Sequence, residues 1–150
     1  MRIPALSPTR RHFVALAVGF GAGIALAGAA CAGDGSDITD SDAFLRQQQG
    51  RMIIVDIRTP DEWQLTGVAK DALTIDLLDP EFVQKLVQLR LTNPDKEIGF
   101  ICASSNRSSQ VQQALTQAGF DRVYSVYGGM TGNNEVAGWI ADGLPTEGCC

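Results

Sequence analysis

One histidine, His12, is all the imidazole that this 150-residue chain carries. It lies in an N-terminal stretch that reads as a removable leader. Without it the chain can form neither a Ser-His nor a Cys-His catalytic pair, and metal sites built on imidazole are excluded with it. Basic charge is also short: 12 Lys and Arg face 17 Asp and Glu, a formal net charge of −5. Arg2, Arg10 and Arg11 belong to the leader, so beyond it nine basic residues face 17 acidic ones and the net charge falls to −8. A surface of that sign disfavours nucleic acid and anionic membrane as partners. Cysteine is scarce, with Cys31, Cys102, Cys149 and Cys150 the only four. No internal repeat occurs, and no low-complexity stretch lies beyond the leader.

The leader spans residues 1–32 and ends in small residues. Arg2, Arg10 and Arg11 are its only charges, and Phe13 to Ala30 contains no polar side chain. A basic region, an apolar region and the Ala27-Gly28-Ala29 and Ala30-Cys31-Ala32 sites together describe an export signal. The alternative is a membrane anchor, but a span needs ~20 strongly apolar residues and this stretch is shorter and glycine-diluted. Thr9-Arg10-Arg11-His12-Phe13-Val14 resembles the twin-arginine pattern, a receptor-read bacterial address. A general secretory signal that happens to carry two arginines is the other reading. Either route predicts a periplasmic or exported protein with no stable membrane insertion after cleavage. Residues 33–150 then form one modest domain.

Within that domain strand-length apolar runs alternate with helical patterns. Met52 to Asp56 is a short apolar run. Thr59-Pro60-Asp61-Glu62 has the spacing of a capping box with proline at the first helical position. The stretch 72–77 reads as another strand. Asp79-Pro80 repeats the cap-plus-proline signal, and Phe82, Leu86 and Leu89 share one helical face. Ile98 to Cys102 is the next strand. Val111, Ala114, Leu115 and Ala118 stripe a helix that ends at Gly119. Arg122 to Tyr127 is a further strand, and Trp139 and Ile140 are expected in a last short helix. Such alternation predicts an α/β domain with a parallel sheet covered on both faces, and ligands at the carboxyl ends of its strands.

Cys102 ends one of those strands. After it come Ala103, Ser104, Ser105 and Asn106, then Arg107, which closes the loop, and a helix from about Ser108. The thiolate, not the thiol, is the nucleophile of cysteine chemistry, and no histidine is available to hold it. A tight loop feeding a helix N-terminus supplies inward backbone N–H groups and the positive end of the helix dipole. Arg107 adds a cation that cannot be deprotonated. The pattern therefore points to a nucleophile in an anion-stabilising cradle, against the alternative of a core cysteine that ends a strand by chance.

Several segments in order resemble the single-domain rhodaneses, a sulfurtransferase family. Val55-Asp56-Ile57-Arg58 with Glu62-Trp63 and Gly67, the 101–108 loop, the stretch 115–130 and Gly138 to Pro145 carry the likeness, over nearly all of residues 33–150. The resemblance implies a rhodanese-like fold with a five-stranded, mostly parallel sheet and helices on both faces. It implies that Cys102 accepts a sulfane sulfur as a persulfide from a small donor such as thiosulfate and passes it to cyanide or a thiol, a partner protein included. Ala103, Ser104, Ser105, Asn106, Arg107 and Ser108 would form the substrate-binding loop. No cofactor and no metal is implied. Some dual-specificity phosphatases resemble the family but carry five residues between cysteine and arginine. The four present here suit a sulfur atom better than a phosphate. A phosphatase or arsenate reductase, and a non-catalytic sulfur- or anion-binding module, remain the alternatives.

The chain departs from the family pattern in places. Gly67 to Ala72 lacks the usual histidine, and Ala103 stands where some thiosulfate-using members have a basic residue. The segment between Gly129 and Trp139 is longer than the usual link and reads as a wall of the entrance or as a surface insertion. Asp56 and Arg58 fall near the expected pocket wall. Arg58 is expected to pair with Glu62, Asp56 to bond backbone, and Trp63 to be core. Cys149 and Cys150 read as a terminal pair forming disulfides, or as a relay whose thiolate attacks the Cys102 persulfide.

Overall fold

The computed structural model describes residues 37–149. They belong to one compact unit, and the leader lies outside the described residues. A parallel sheet of five strands runs through its centre: β1 (Asp37–Thr39), β2 (Met52–Asp56), β4 (Leu73–Thr74), β5 (Glu97–Ile101) and β6 (Val123–Tyr127). Their spatial order is β1-β6-β5-β2-β4. A small antiparallel pair, β3 (Val68–Ala69) with β7 (Thr146–Glu147), closes the C-terminal segment against the chain after β2.

Side chains alternate across the sheet, as the pleat requires, and supply two cores. Met52, Ile54, Ile101, Tyr124 and Val126 face Ala43 and Phe44 of α1 (Asp40–Gln48) and Trp139. Val55, Ile98, Phe100 and Val123 face Phe82, Leu86 and Leu89 of α3 (Phe82–Thr92) and Val111 and Leu115 of α4 (Asn106–Gln117). Helices thus cover both faces, and the expected rhodanese-like α/β sheet is present. All the pairings of the central sheet are parallel.

The remaining helix, α2 (Pro60–Thr66), follows β2 and has the complete capping box. Thr59 Oγ1 accepts from Glu62 N, and the Glu62 carboxylate accepts from Thr59 N. From β2 the chain moves outward to β4, then crosses back to β5 on the other side of β2 and continues to β6. The direction of winding therefore reverses between β2 and β5. Loops diverge there and leave a crevice at the carboxyl ends of the strands. Both Thr59 and Cys102 sit at that crevice.

Four local expectations need correction. Asp79-Pro80 opens a turn, not the helix. Asp79 Oδ1 accepts from Glu81 N at 2.8 Å, Asp79 O accepts from Phe82 N at 2.9 Å, and α3 begins at Phe82. The 72–77 strand shortens to β4, because its continuation bonds only through Ile75 N to Asp56 O and Leu77 N to Ile57 O. On α4, Ala114 and Ala118 are exposed while Ser108 and Gln112 are buried; hydroxyl partners inside the fold, described below, hold Ser108 there. Trp139 and Ile140 lie in turns. Gly138 and Gly143, with φ of +86° and +71°, bracket too few residues for a helix. Trp139 is still fully buried, edge-on to Phe44 with ring centroids 5.8 Å apart.

Candidate active site

Cys102 follows β5 directly and is 1 % exposed. The loop after it is held by the turn that follows β6. Cys102 O accepts from Met130 N at 2.8 Å, and Ala103 O accepts from Thr131 N at 2.9 Å. With these carbonyls turned toward residues 130–131, the peptide N–H groups of Ala103 and Ser104 point the opposite way, into the loop. Gly129 makes this approach possible. A Cβ there would lie 2.5 Å from Cys102 O and 2.6 Å from Ala103 O, at a φ of +64°.

Ser105 ends the loop in the left-handed region, φ +72°, a strained choice for a residue with a side chain. It gives α4 no side-chain cap, in contrast to the closed box on α2. The backbone N–H groups of Ala103 to Ser108 therefore find no acceptor among the described residues. The loop and the first turn of α4 together form a cradle of unspent donors at the positive end of a 12-residue helix. Such a cradle binds an anion or the negative charge of a sulfur species.

Ser108 reaches the cysteine from below. Its Oγ lies 3.6 Å from Cys102 Sγ, donates to Ser105 O at 3.0 Å and lies 2.9 Å from Ser125 Oγ. Ser125 was not singled out by sequence. Its signal was the one small polar residue inside an apolar strand, on the face that meets α4.

Arg58 does not pair with Glu62 as expected, because Arg107 takes that carboxylate. Arg107 donates Nη1 to Glu62 Oε2 at 2.9 Å and Nη2 to Glu62 Oε1 at 2.6 Å, a bidentate bridge from α4 to α2 across the crevice. Glu62 is free to turn outward because it already reaches back to Thr59 as the third residue of the capping box. Arg58 instead folds inward onto Asp56. Nη2 lies 2.7 Å from Oδ2 and Nε bonds both carboxylate oxygens, while Thr66 Oγ1 and Gly67 O accept from the rest of the guanidinium. Asp56 and Arg58 are 0 % and 1 % exposed, so they form a buried pair between the end of β2 and α2 and not a pocket wall. Asp56 Oδ1 also accepts from Arg58 N, the backbone bond expected of it. Trp63 is buried, as expected of a core residue.

Arg107 above all, by hydrogen bonding, and Thr59 after it hold the Glu62 carboxyl at about 2, below its usual 4.5, against the opposing effect of burial. A depressed carboxyl contributes stability that is complete above the unfolded value and is lost as pH falls toward the folded one. The destabilisation caused by Glu62→Gln is therefore expected to be full above about pH 4.5 and to fade between there and pH 2. Urea melts of both proteins across that range check it; a difference independent of pH would show that the bridge contributes nothing. Arg107 rises correspondingly, first through Glu62 and to a smaller degree through Cys102.

Cys149 takes part in a disulfide, and Cys150 lies outside the described residues. Cys102 is a free thiol. A relay through Cys149 would first need that disulfide reduced. Among the described residues no cluster of three His, Cys, Asp or Glu side chains could hold a metal. The 130–138 segment contributes Asn133, Asn134 and Glu135 to a cavity that Ser105 and Asn106 also line, so it stands beside the Cys102 loop.

The sequence and the fold resemble those of several known proteins. An uncharacterized protein of Rickettsia prowazekii is 28 % identical over 100 residues, which cover 63 % of this chain and 81 % of that one. A crystal structure from M. tuberculosis superposes with a TM-score of 0.62 at 25 % identity, over 75 % of this chain and 96 % of the other. The rhodanese-like domain of an Anabaena protein superposes at 0.55 and 23 % identity, over 75 % and 79 % of the two chains. A Rhodopseudomonas palustris protein described as a possible tyrosine phosphatase superposes at 0.57 and 24 % identity, over 75 % and 84 %; at that identity the likeness concerns the fold. The sequence profile of the rhodanese-like domain matches residues 41–135, which include β2, the Cys102 loop and the wall beside it, and the chain belongs to that family.

Proposed function

We propose that this protein is a sulfurtransferase that carries a sulfane sulfur on Cys102. The observation that carries the reading is the cradle: six consecutive backbone N–H groups, Ala103 to Ser108, without acceptors among the described residues, on the loop that begins at a buried free thiol. With thiosulfate as donor, the Cys102 thiolate attacks the outer sulfur. A Cys102–sulfur bond forms, the bond to the sulfonate breaks, and sulfite leaves with the electron pair. The persulfide that remains is an anion, and the unspent N–H groups are its natural partners. An acceptor, cyanide or a thiolate, then attacks the outer sulfur, and Cys102 leaves as the thiolate. No cofactor enters.

Four residues separate Cys102 from Arg107, and Glu62 holds both arms of the arginine. Both features favour a sulfur atom over a phosphate that needs a wider ring and a free guanidinium. Mass spectrometry of the protein after a thiosulfonate is expected to show one added sulfur on Cys102, and an aryl phosphate is expected to go unhydrolysed. Phosphate turnover without sulfur loading would reverse the assignment.

The reading includes export through the leader, supported by its basic, apolar and small-residue regions. Replacing Arg10 and Arg11 by lysine is expected to leave precursor in the cytoplasm, seen by fractionation and immunoblot. Unimpaired export of that variant would assign the protein to the general secretory route.

A further inference from the structure

A cysteine thiol must lose its proton before it attacks, and Cys102, 1 % exposed, has almost no surface of its own in water. The groups that stabilise its charge cannot take that proton. Backbone N–H groups and the Arg107 guanidinium are donors without an acceptor atom. The one histidine of the chain, His12, lies in the leader. Ser108 Oγ, 3.6 Å from Sγ, is the one acceptor in hydrogen-bond contact with the sulfur among the described residues.

Ser108 is itself fully buried, but it is not an end point. Its Oγ lies 2.9 Å from Ser125 Oγ, and Ser125 Oγ lies 3.2 Å from Ser109 Oγ. Ser109 Oγ in turn donates to Asp37 Oδ1 at 3.2 Å. Asp37 is exposed. Three hydroxyls therefore join the buried sulfur to a surface carboxylate without a gap. The fold sets this line. Asp37 on β1 is the register partner of Ser125 on β6, and Ser108 and Ser109 reach Ser125 from the first turn of α4. Neither of those two serines needs Ser125 as an acceptor, because Ser108 already donates to Ser105 O at 3.0 Å and Ser109 to Asp37. Ser125 thus places a fully buried hydroxyl in an apolar strand, where burial costs unless the group is bonded, and what it adds is the link between them.

We infer that the Cys102 proton leaves the fold along this chain, with Asp37 as its outlet. Each hydroxyl carries one proton and two lone pairs, so it can accept on one side and donate on the other. The S–H bond breaks and its proton passes to Ser108 Oγ, whose own proton turns from Ser105 O and passes to Ser125 Oγ. Ser125 hands its proton to Ser109 Oγ, Ser109 hands one to Asp37 Oδ1, and water carries it away. The electron pair stays on sulfur. Each hydroxyl ends with one proton, now turned inward, and Ser108 donates to the thiolate. No oxidant or reductant is consumed. Ser108 touches the reacting atom, while Ser125, Ser109 and Asp37 act through it as positioning residues. The part this path plays in sulfur loading rests on the sulfurtransferase reading of Cys102; the path itself does not.

The test reads exchange of the Cys102 thiol proton with solvent. In half-deuterated, mildly acidic buffer a cysteine Cβ carbon gives one averaged resonance when S–H exchanges fast and a split resonance when it exchanges slowly. The averaged form is expected for the unaltered protein. Asp37→Asn keeps an oxygen that accepts from Ser109 but takes up no proton, and Ser125→Ala interrupts the chain. In each variant exchange is expected to slow by about tenfold or more and the resonance to split. A purely structural hydrogen bond survives Asp37→Asn, so this variant separates the two roles. A split resonance in the unaltered protein, or unchanged exchange in either folded variant, would overturn the inference. Should Ser125→Ala fail to fold, Asp37→Asn at the surface still decides it. The same samples are treated with a thiosulfonate and weighed by mass spectrometry. An unaltered protein that takes up no sulfur removes the sulfurtransferase reading, while the exchange result still decides the path.

Discussion

Cys102→Ser is expected to leave no measurable transfer of sulfane sulfur to cyanide and no added sulfur by mass spectrometry. Serine retains the position and much of the volume, but its hydroxyl is not ionised near neutral pH. The oxygen also has no stable counterpart of the sulfur–sulfur bond that stores the cargo. The fold should survive. The side chain is 1 % exposed and lies 3.6 Å from Ser108 Oγ, so a serine hydroxyl there finds a partner. Circular dichroism and a urea melt close to those of the unaltered protein separate lost chemistry from lost structure. Sulfur transfer at the original rate in this variant would remove Cys102 from the mechanism. Loading of a different cysteine would move the site elsewhere in the chain.

Arg58→Ala is expected to destabilise the domain by about 3–5 kcal/mol, the usual cost of leaving one partner of a buried ion pair alone. The alanine would strand the Asp56 carboxylate, which is 0 % exposed, and would also remove the bonds from the guanidinium to Gly67 O and Thr66 Oγ1. Activity should fall with the folded fraction, since the pair ties the end of β2 to α2, and α2 carries the Glu62 that holds Arg107. A urea midpoint read by far-ultraviolet circular dichroism checks the magnitude. Removing both charges in Asp56→Asn/Arg58→Met should recover part of the loss, because no buried charge is then left unpaired. A single variant as stable as the parent would show that water reaches the pair and that the carboxylate was never stranded.

Much of the architecture was legible in order along the chain. Met52 to Asp56, Ile98 to Ile101 and Val123 to Tyr127 are apolar runs because each is buried on both faces of a parallel sheet. Thr59 and Glu62 announce a capped helix because a capping box is a local contract between residues three apart. β1 was not legible: Asp37 to Thr39 is short, and only its pairing with β6 makes it a strand. Ser125 and Ser108 were missed as a pair for the same reason, since their hydroxyls meet across 17 residues of sequence.

Short-range chemistry, then, is what the amino-acid sequence determined on its own: the strand–loop–helix carrying Cys102, the spacing to Arg107, the capping box of α2 and the excess of acidic residues. Each depends on neighbours a few positions apart, whose spacing the covalent chain itself sets. Tertiary structure alone decided the exchange of ion-pair partners. Glu62 left its near neighbour Arg58 for Arg107, 45 residues away, because the reversal between β2 and β5 brings the starts of α2 and α4 to the same crevice. Arg58, turned under the strand, found Asp56 instead. The meeting of Asp37 with Ser109 belongs to the same class. Their sequence positions, 72 residues apart, carry no sign of it, and only the packing of β1 beside β6, under α4, brings them together.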